Sequence, residues 1–224
     1  AALDDGAEPG PLAPDSALHS GGDAGRLPGV REGVLRVQDA GSQLTARALA
    51  QAPVPAAEGR AERWLDLCAG PGGKAALLAA LAAERGATLV ANEVAPHRAD
   101  LVRQALAAVP AGAWTVRAGD GRTIADAPEA LLDAAVAVLA PGGVLAYVAC
   151  SPHVAETVVQ VQDLVRRHPE LELLDARTAL DAVALDDLRL DEAEPTGAPE
   201  PGDVVAHTAQ LWPHRHGTDA MFLA

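Results

Sequence analysis

The stretch Arg63-Trp64-Leu65-Asp66-Leu67-Cys68-Ala69-Gly70-Pro71-Gly72-Gly73-Lys74 decides the fold. Residues 63–68 (RWLDLC) are a short apolar run with the texture of a buried strand. A glycine-rich turn follows, and then Lys74 to Glu84 (KAALLAALAAE), an Ala/Leu helix with Gly86 placed to end it. Strand, glycine turn, helix is the opening of a nucleotide-type βαβ unit. Glycines let the backbone approach a ligand closely, and the following helix N-terminus favours negative charge. A Walker loop would need Gly where Cys68 stands and Ser or Thr where Ala75 stands, so a P-loop NTPase is rejected.

Working outward, the period alternates. Ala87 to Asn92 (ATLVAN) predicts a second strand, and Pro96 a helix start running to Val109. Trp114 to Arg117 predicts a third strand, and Glu129 to Leu139 a helix stopped by Pro141-Gly142-Gly143. Val144 to Ala149 (VLAYVA) reads as a strand, His153 to His168 as a helix and Leu171 to Leu174 as a strand. Before the deciding stretch, Ser42 to Ala50 reads as a short amphipathic helix. Residues 184–205 are an acidic Pro/Gly-rich loop, and Gln210 to Trp212 with Met221 to Leu223 form a candidate closing hairpin. Strands alternating with helices predict a doubly wound, mostly parallel α/β sheet with its ligand at the carboxyl ends of the strands. Residues 1–33, rich in Gly, Pro and Asp, read as an irregular arm or linker, and 34–224 as one catalytic domain.

The 224 residues carry a formal charge of −14, which argues against nucleic-acid binding by the whole surface but not by a local groove. Two cysteines leave no disulfide framework and no Cys-rich zinc site, and no metal is expected. No 18-residue apolar run suits a membrane span. A reduced, cytoplasmic setting fits. The absence of an initial Met points to a fragment or a trimmed product. Alanine occurs 51 times, Arg 16 times, and Lys and Asn once each, as Lys74 and Asn92. Such usage suggests a GC-rich genome. Lys74 is then either a chance survivor or a position that needs an ammonium rather than a guanidinium.

Acidic residues end the next two strands. Glu93 could accept hydrogen bonds from ribose hydroxyls, and Asp120, in Gly119-Asp120-Gly121, from an adenine amino group. These fit either a dinucleotide or S-adenosylmethionine. Cys150 follows an apolar strand and precedes Ser151-Pro152, where a thiolate would serve as a nucleophile; the plainer reading is a small buried hydrophobe. Cys68 reads as packing beneath the ligand.

Four strings carry a resemblance: 37–43 (VQDAGSQ), 66–74 (DLCAGPGGK), 119–122 (GDGR) and 149–153 (ACSPH), followed by 212–222 (WPHRHGTDAMF). Together, over about residues 30–224, they closely resemble the Sun/Fmu-type rRNA cytosine-5 methyltransferases, actinobacterial-like. The resemblance implies a Rossmann-like methyltransferase fold with S-adenosyl-L-methionine as cofactor and ribosomal RNA as partner, in a monomer. It assigns Cys68, Ala69, Gly70, Pro71, Gly72, Gly73 and Lys74 to the cofactor loop, Glu93 to the ribose, Asp120 to the adenosine and Cys150 to the nucleophile. A thiolate adds at carbon 6 of cytosine, which makes carbon 5 nucleophilic towards the methyl group. A base then removes the carbon 5 proton and the thiolate is expelled.

Two departures stand out. The family carries a central fourth strand ending in Asp-Ala-Pro-Cys, then a long and usually basic segment. Here Arg122 runs almost at once to Asp126-Ala127-Pro128-Glu129, with Glu in place of that Cys. A strand, loop and half-helix of ordinary lengths, roughly 35–40 residues, are expected to be missing. The ladder should then show a vacancy, or residues 63–68 should pair directly with 144–149. The family's separate N-terminal helical RNA-binding domain is expected to be missing as well. The alternative function is a non-catalytic S-adenosylmethionine-binding or RNA-associated remnant of the family.

Overall fold

In the computed structural model, residues 7–19, 21–55, 61–125, 130–190 and 203–224 are described. In chain order, β1 (Glu8–Pro9) pairs antiparallel with β2 (Ala17–Leu18) across residues 10–16, followed by α1 (Pro28–Arg31) and α2 (Ala40–Gln51). Then come β3 (Arg63–Asp66), α3 (Gly73–Glu84), β4 (Thr88–Glu93), α4 (Pro96–Leu106), β5 (Trp114–Ala118) and α5 (Leu131–Val138). The chain continues with β6 (Val148–Ala149), α6 (Val158–Arg167), α7 (Ala176–Asp181), α8 (Val204–His207), β7 (Ala209–Gln210), α9 (Pro213–His216) and β8 (Phe222–Leu223). Among the described residues no helix is long and apolar enough to cross a membrane.

The chain divides into two units. The first comprises residues 1–10, 17–38 and 53–144; the second comprises 11–16, 39–52 and 145–224. The first is built on a parallel sheet of order β3-β4-β5. Arg63 to Asp66 lie opposite Thr88 to Ala91, and Leu89 to Glu93 opposite Trp114 to Ala118. Two helical crossovers make this arrangement possible. Ala75, Ala76, Leu78, Ala79 and Ala82 of α3 are buried, as are Ala99, Val102, Ala105 and Leu106 of α4. Small side chains let these helices lie close to each other and to the sheet. Gly86, at φ +71°, ends α3, and Pro96 opens α4, both as the sequence predicts.

The expected vacancy is present. Among the described residues β3 has β4 as its one partner, and its other edge carries no strand. From Gly119 to Ala125 the chain forms only a 3-10 turn, Gly121–Ile124, on which α5 packs. A Cβ on Gly121 would stand 2.6 Å from Leu131. The Asp126-Ala127-Pro128-Glu129 string lies outside the described residues.

The second unit holds an antiparallel sheet of order β6-β8-β7. Its main core gathers Leu44 of α2, Leu180 of α7, Leu211, Met221 and Leu223. A smaller cluster joins Val161, Val204 and Phe222, with Tyr147 edge-on to Phe222 at 6.2 Å. The hairpin expected at the C-terminus is formed by β7 and β8.

Three sequence expectations need correction. The strand expected over 144–149 is reduced to Val148–Ala149, which pairs with β8, so direct pairing of 63–68 with 144–149 does not occur. Leu171–Leu174 is not a strand, because it joins no ladder. The helix expected from His153 begins at Val158, after a 3-10 turn over Val154–Glu156 that His153 caps through Nδ1.

Candidate methyl-donor site and cysteines

The loop between β3 and α3 carries Cys68, Ala69, Gly70, Pro71 and Gly72, with Gly73 and Lys74 opening α3. Its path is fixed by internal hydrogen bonds. The Cys68 N–H donates to Asp66 Oδ1 at 3.1 Å, the Ala69 N–H to the Asn92 carbonyl at 2.9 Å and the Gly70 N–H to Glu93 Oε2 at 3.1 Å. Two glycines are sterically required. Gly72 sits at φ +115°, and a Cβ there would stand 2.5 Å from the Ala105 Cβ. A Cβ on Gly70 would stand 2.3 Å from Glu93 Oε2. The N-cap residue is Gly72, which has no side chain to offer the N–H groups of the first turn.

Glu93 ends β4 and is only 4% exposed. Its Oε1 accepts from the Ala95 N–H at 3.0 Å, and Arg98 Nε lies 3.8 Å from Oε2. Arg98 of α4 also donates to the Gly70 carbonyl at 2.6 Å, so the loop is tied to both β4 and α4. A carboxylate offers about four acceptor positions, and the two backbone bonds leave room for hydroxyl groups. Burial raises the Asp66 carboxyl above its ordinary value, against the opposing pull of the Cys68 N–H and the Lys74 ammonium.

Asp120 is tied up differently. Its carboxylate takes a forked contact from Arg122, Nε to Oδ1 and Oδ2 at 3.1 and 3.0 Å and Nη2 to Oδ2 at 2.6 Å, and it accepts from the Arg122 N–H. These bonds hold it at about 2.

The structure thus brings Gly70 and Glu93 into contact and places Asp120 one strand further along the sheet. Cys150 belongs to the second unit, directly after β6. It is exposed, and its thiol meets Met221 Sδ at 3.7 Å. Cys68 is also exposed, but partial burial pushes its thiol up, and the Asp66 and Glu93 carboxylates push it further. Such a thiol stays protonated.

Sequence reasoning missed Asn92, Arg98 and Arg117. Asn92 had a signal, as the one Asn in the chain beside the one Lys. In the C-terminal string, His216 is structural: its Nδ1 accepts from the Trp212 N–H at 2.7 Å, which leaves Nε2–H facing the Leu188 carbonyl at 3.0 Å.

Comparison with known proteins agrees with this geometry. The family described as 16S rRNA methyltransferase RsmB/F matches residues 55–130 and 122–224. Its two matched stretches overlap over residues 122–130. A protein of Mycobacterium tuberculosis (strain ATCC 25618 / H37Rv) named as a methyltransferase is 43% identical over 239 aligned positions, covering 91% of this chain and 48% of that protein. Since 91% of 224 residues is roughly 204, roughly 35 of those 239 positions have no counterpart here. The ribosomal RNA small subunit methyltransferase B of Erwinia tasmaniensis is 30% identical, covering 67% of this chain and 43% of that protein. The chain therefore spans about half the length of the curated relatives it matches. Among solved structures, NSun6 from Pyrococcus horikoshii with SFG, an S-adenosylmethionine analogue, superposes with a TM-score of 0.65 at 18% identity, over 91% of this chain and 55% of that one. A methyltransferase homolog from the same organism gives a TM-score of 0.65 at 19% identity, over 93% and 72%. Both likenesses speak to the fold, which is the Rossmann-like methyltransferase fold. The chain belongs to the 16S rRNA methyltransferase RsmB/F family, a family of methyltransferases that depend on S-adenosylmethionine.

Proposed function

We propose that this chain methylates carbon 5 of a cytosine in ribosomal RNA through a Cys150 adduct. S-adenosyl-L-methionine, when bound, supplies an electrophilic methyl group. The observation that carries the donor assignment is the Gly70–Glu93 contact beside the start of α3. In this reading the loop from Cys68 to Lys74 cradles the donor. Glu93 takes the ribose hydroxyls, and Asp120 turns from Arg122 to the adenosine. The α3 N-terminus faces negative charge, and Lys74 adds a cation next to it.

The role of Cys150 is supported by chemistry. A nucleophile for carbon 6 must reach solvent-borne substrate and ionise. Both cysteines are exposed, and at Cys68 partial burial and the Asp66 and Glu93 carboxylates push the thiol up, against ionisation. The target base is splayed out of the RNA to meet it. Residues 34–224 form the catalytic domain in this reading, with 1–33 as an arm, and the protein works as a cytoplasmic monomer.

Two observations favour one other reading, a remnant that binds the donor without turnover: Glu stands at position 129 where the resemblance expects Cys, and among the described residues the second edge of β3 carries no strand. Radiolabelled methyl transfer to unmodified ribosomal RNA decides between them. Label at carbon 5 of cytosine is expected. Donor binding with no transfer establishes the remnant.

A further inference from the structure

We propose that Asn92 and Arg117 are a coupled pair of positioning residues that set the two loops of the methyl-donor site against each other. The proposal rests on the donor reading above and names residues that reading does not use. Asn92 and Arg117 are direct neighbours across the β4–β5 ladder, so their side chains share one face of the sheet. Asn92 is 1% exposed and satisfied at both ends. Its Nδ2 donates to the Leu67 carbonyl at 3.0 Å and to the Gly119 carbonyl at 3.1 Å. Its Oδ1 accepts from Arg117 Nη1 at 2.6 Å.

Arg117 passes the constraint on. The same Nη1 donates to the Asp120 carbonyl at 3.1 Å, and Nη2 donates to Thr123 Oγ1 at 2.6 Å. Thr123 Oγ1 in turn donates to the Asp120 carbonyl at 2.8 Å. The main-chain carbonyls held by this network belong to Leu67, Gly119 and Asp120. All three lie in the loops that leave the carboxyl ends of β3 and β5. Main-chain bonds to β4 carry the ladder just past the strand ends, from the Ala69 N–H to the Asn92 carbonyl at 2.9 Å and from the Gly119 N–H to the Glu93 carbonyl at 3.0 Å, and these side chains add a second tie at the Leu67, Gly119 and Asp120 carbonyls. One loop leads to Gly70; the other carries Asp120. In this proposal the spacing between a ribose anchored at Glu93 and an adenine at Asp120 is set by one amide and one guanidinium acting with those main-chain bonds.

A charged fork bonded to a buried amide is a stiff link, since a buried polar group left unpaired is costly. Replacing either member should release the β5 loop without removing any group that touches the donor. Coupling also follows. Once Asn92 is gone, Arg117 has lost its anchor in the sheet, so a second replacement adds little.

The test is calorimetric titration of S-adenosylhomocysteine and of adenosine into the full chain. Asn92→Leu, Arg117→Met and the double variant are compared with wild type, each with its urea midpoint. Each single variant should bind both compounds about tenfold more weakly, and the double variant no worse than the weaker single. Arg117→Lys should recover part of the loss, because an ammonium can reach Asn92 Oδ1 but cannot fork to Asp120 and Thr123. Thr123→Val lies on the surface, leaves the buried amide intact and should show a smaller loss in the same direction. Unchanged adenosine affinity in folded variants, or fully additive losses, would overturn the pairing. If Asn92→Leu does not fold, Arg117→Lys and Thr123→Val decide, and wild-type affinity in both overturns it. A wild-type chain that binds neither compound overturns the donor reading itself, and this proposal with it.

Discussion

Gly70 and Glu93 are joined by a hydrogen bond of 3.1 Å from the glycine N–H to Oε2, across 23 residues of sequence. The approach is so close that any Cβ at position 70 would displace the carboxylate. One contact thus fixes both the path of the loop and the aim of the acid. Glu93→Ala removes a charged acceptor and leaves the Gly70 and Ala95 N–H groups unpaired. At about 1.5–3 kcal/mol for such a bond, S-adenosylhomocysteine affinity should fall about 10- to 100-fold. Gly70→Ala should lose a comparable amount by pushing the carboxylate aside. Calorimetry that finds wild-type affinity in Glu93→Ala, or a preference for NAD, refutes the ribose assignment.

Asp66 predicts a pH dependence of stability. Burial raises its carboxyl in the folded chain above the ordinary value of about 3.9 held when unfolded. A raised acid contributes its stability below the unfolded value and loses it as pH rises through the folded one. Asp66→Asn, which keeps an acceptor for the Cys68 N–H, should therefore raise the urea midpoint at pH 7. The advantage should shrink towards zero near pH 4. A midpoint that falls at pH 7 would mean that the Lys74 attraction and the Cys68 bond outweigh desolvation.

The first unit was legible wherever a periodic pattern meets a ladder. The runs 63–66, 88–93 and 114–118 are apolar, β-prone and separated by helices with clear stops, and each has a partner strand. The run 144–149 is just as apolar, yet only Val148–Ala149 is strand, because a strand exists through its neighbour and the ladder with β8 covers only those two residues. Glu93 and Gly70 could be read because they sit at fixed offsets from strand ends. Asn92, Arg98 and Arg117 could not be given roles that way. Their partners are main-chain carbonyls brought near by the fold, and no spacing rule encodes that.

Asp39 ties distant parts of the second unit together. Its Oδ2 caps α2 by accepting from the Ser42 N–H at 3.1 Å, and its Oδ1 accepts from the Asp219 N–H at 3.0 Å. Asp39→Ala loses a cap and a long-range bond, and should cost about 1–3 kcal/mol in urea unfolding. Asp39→Asn keeps one acceptor oxygen and should recover part of that. Equal losses in both variants would show that the negative charge, and not the pair of bonds, is what stabilises the helix start.

Cys150 carries the strongest chemical prediction. Attack on carbon 6 needs a thiolate, and serine at the same place is too weakly acidic to replace it. Cys150→Ser should abolish methyl transfer while leaving S-adenosylhomocysteine affinity within about twofold of wild type, a difference well under 1 kcal/mol. RNA containing 5-fluorocytosine should trap an adduct, because fluorine replaces the proton whose removal from carbon 5 precedes expulsion of the thiolate. Mass spectrometry of the digested adduct should place it on Cys150. Position 129, where the resemblance expects a second cysteine that assists release, holds Glu. An adduct with ordinary RNA should therefore release slowly and accumulate during turnover. Methylation that persists in Cys150→Ser, or an adduct on Cys68, would overturn the nucleophile assignment and require the thiol between Asp66 and Glu93 to ionise against both charges. Bound donor with no adduct from the wild-type chain would identify the non-catalytic remnant.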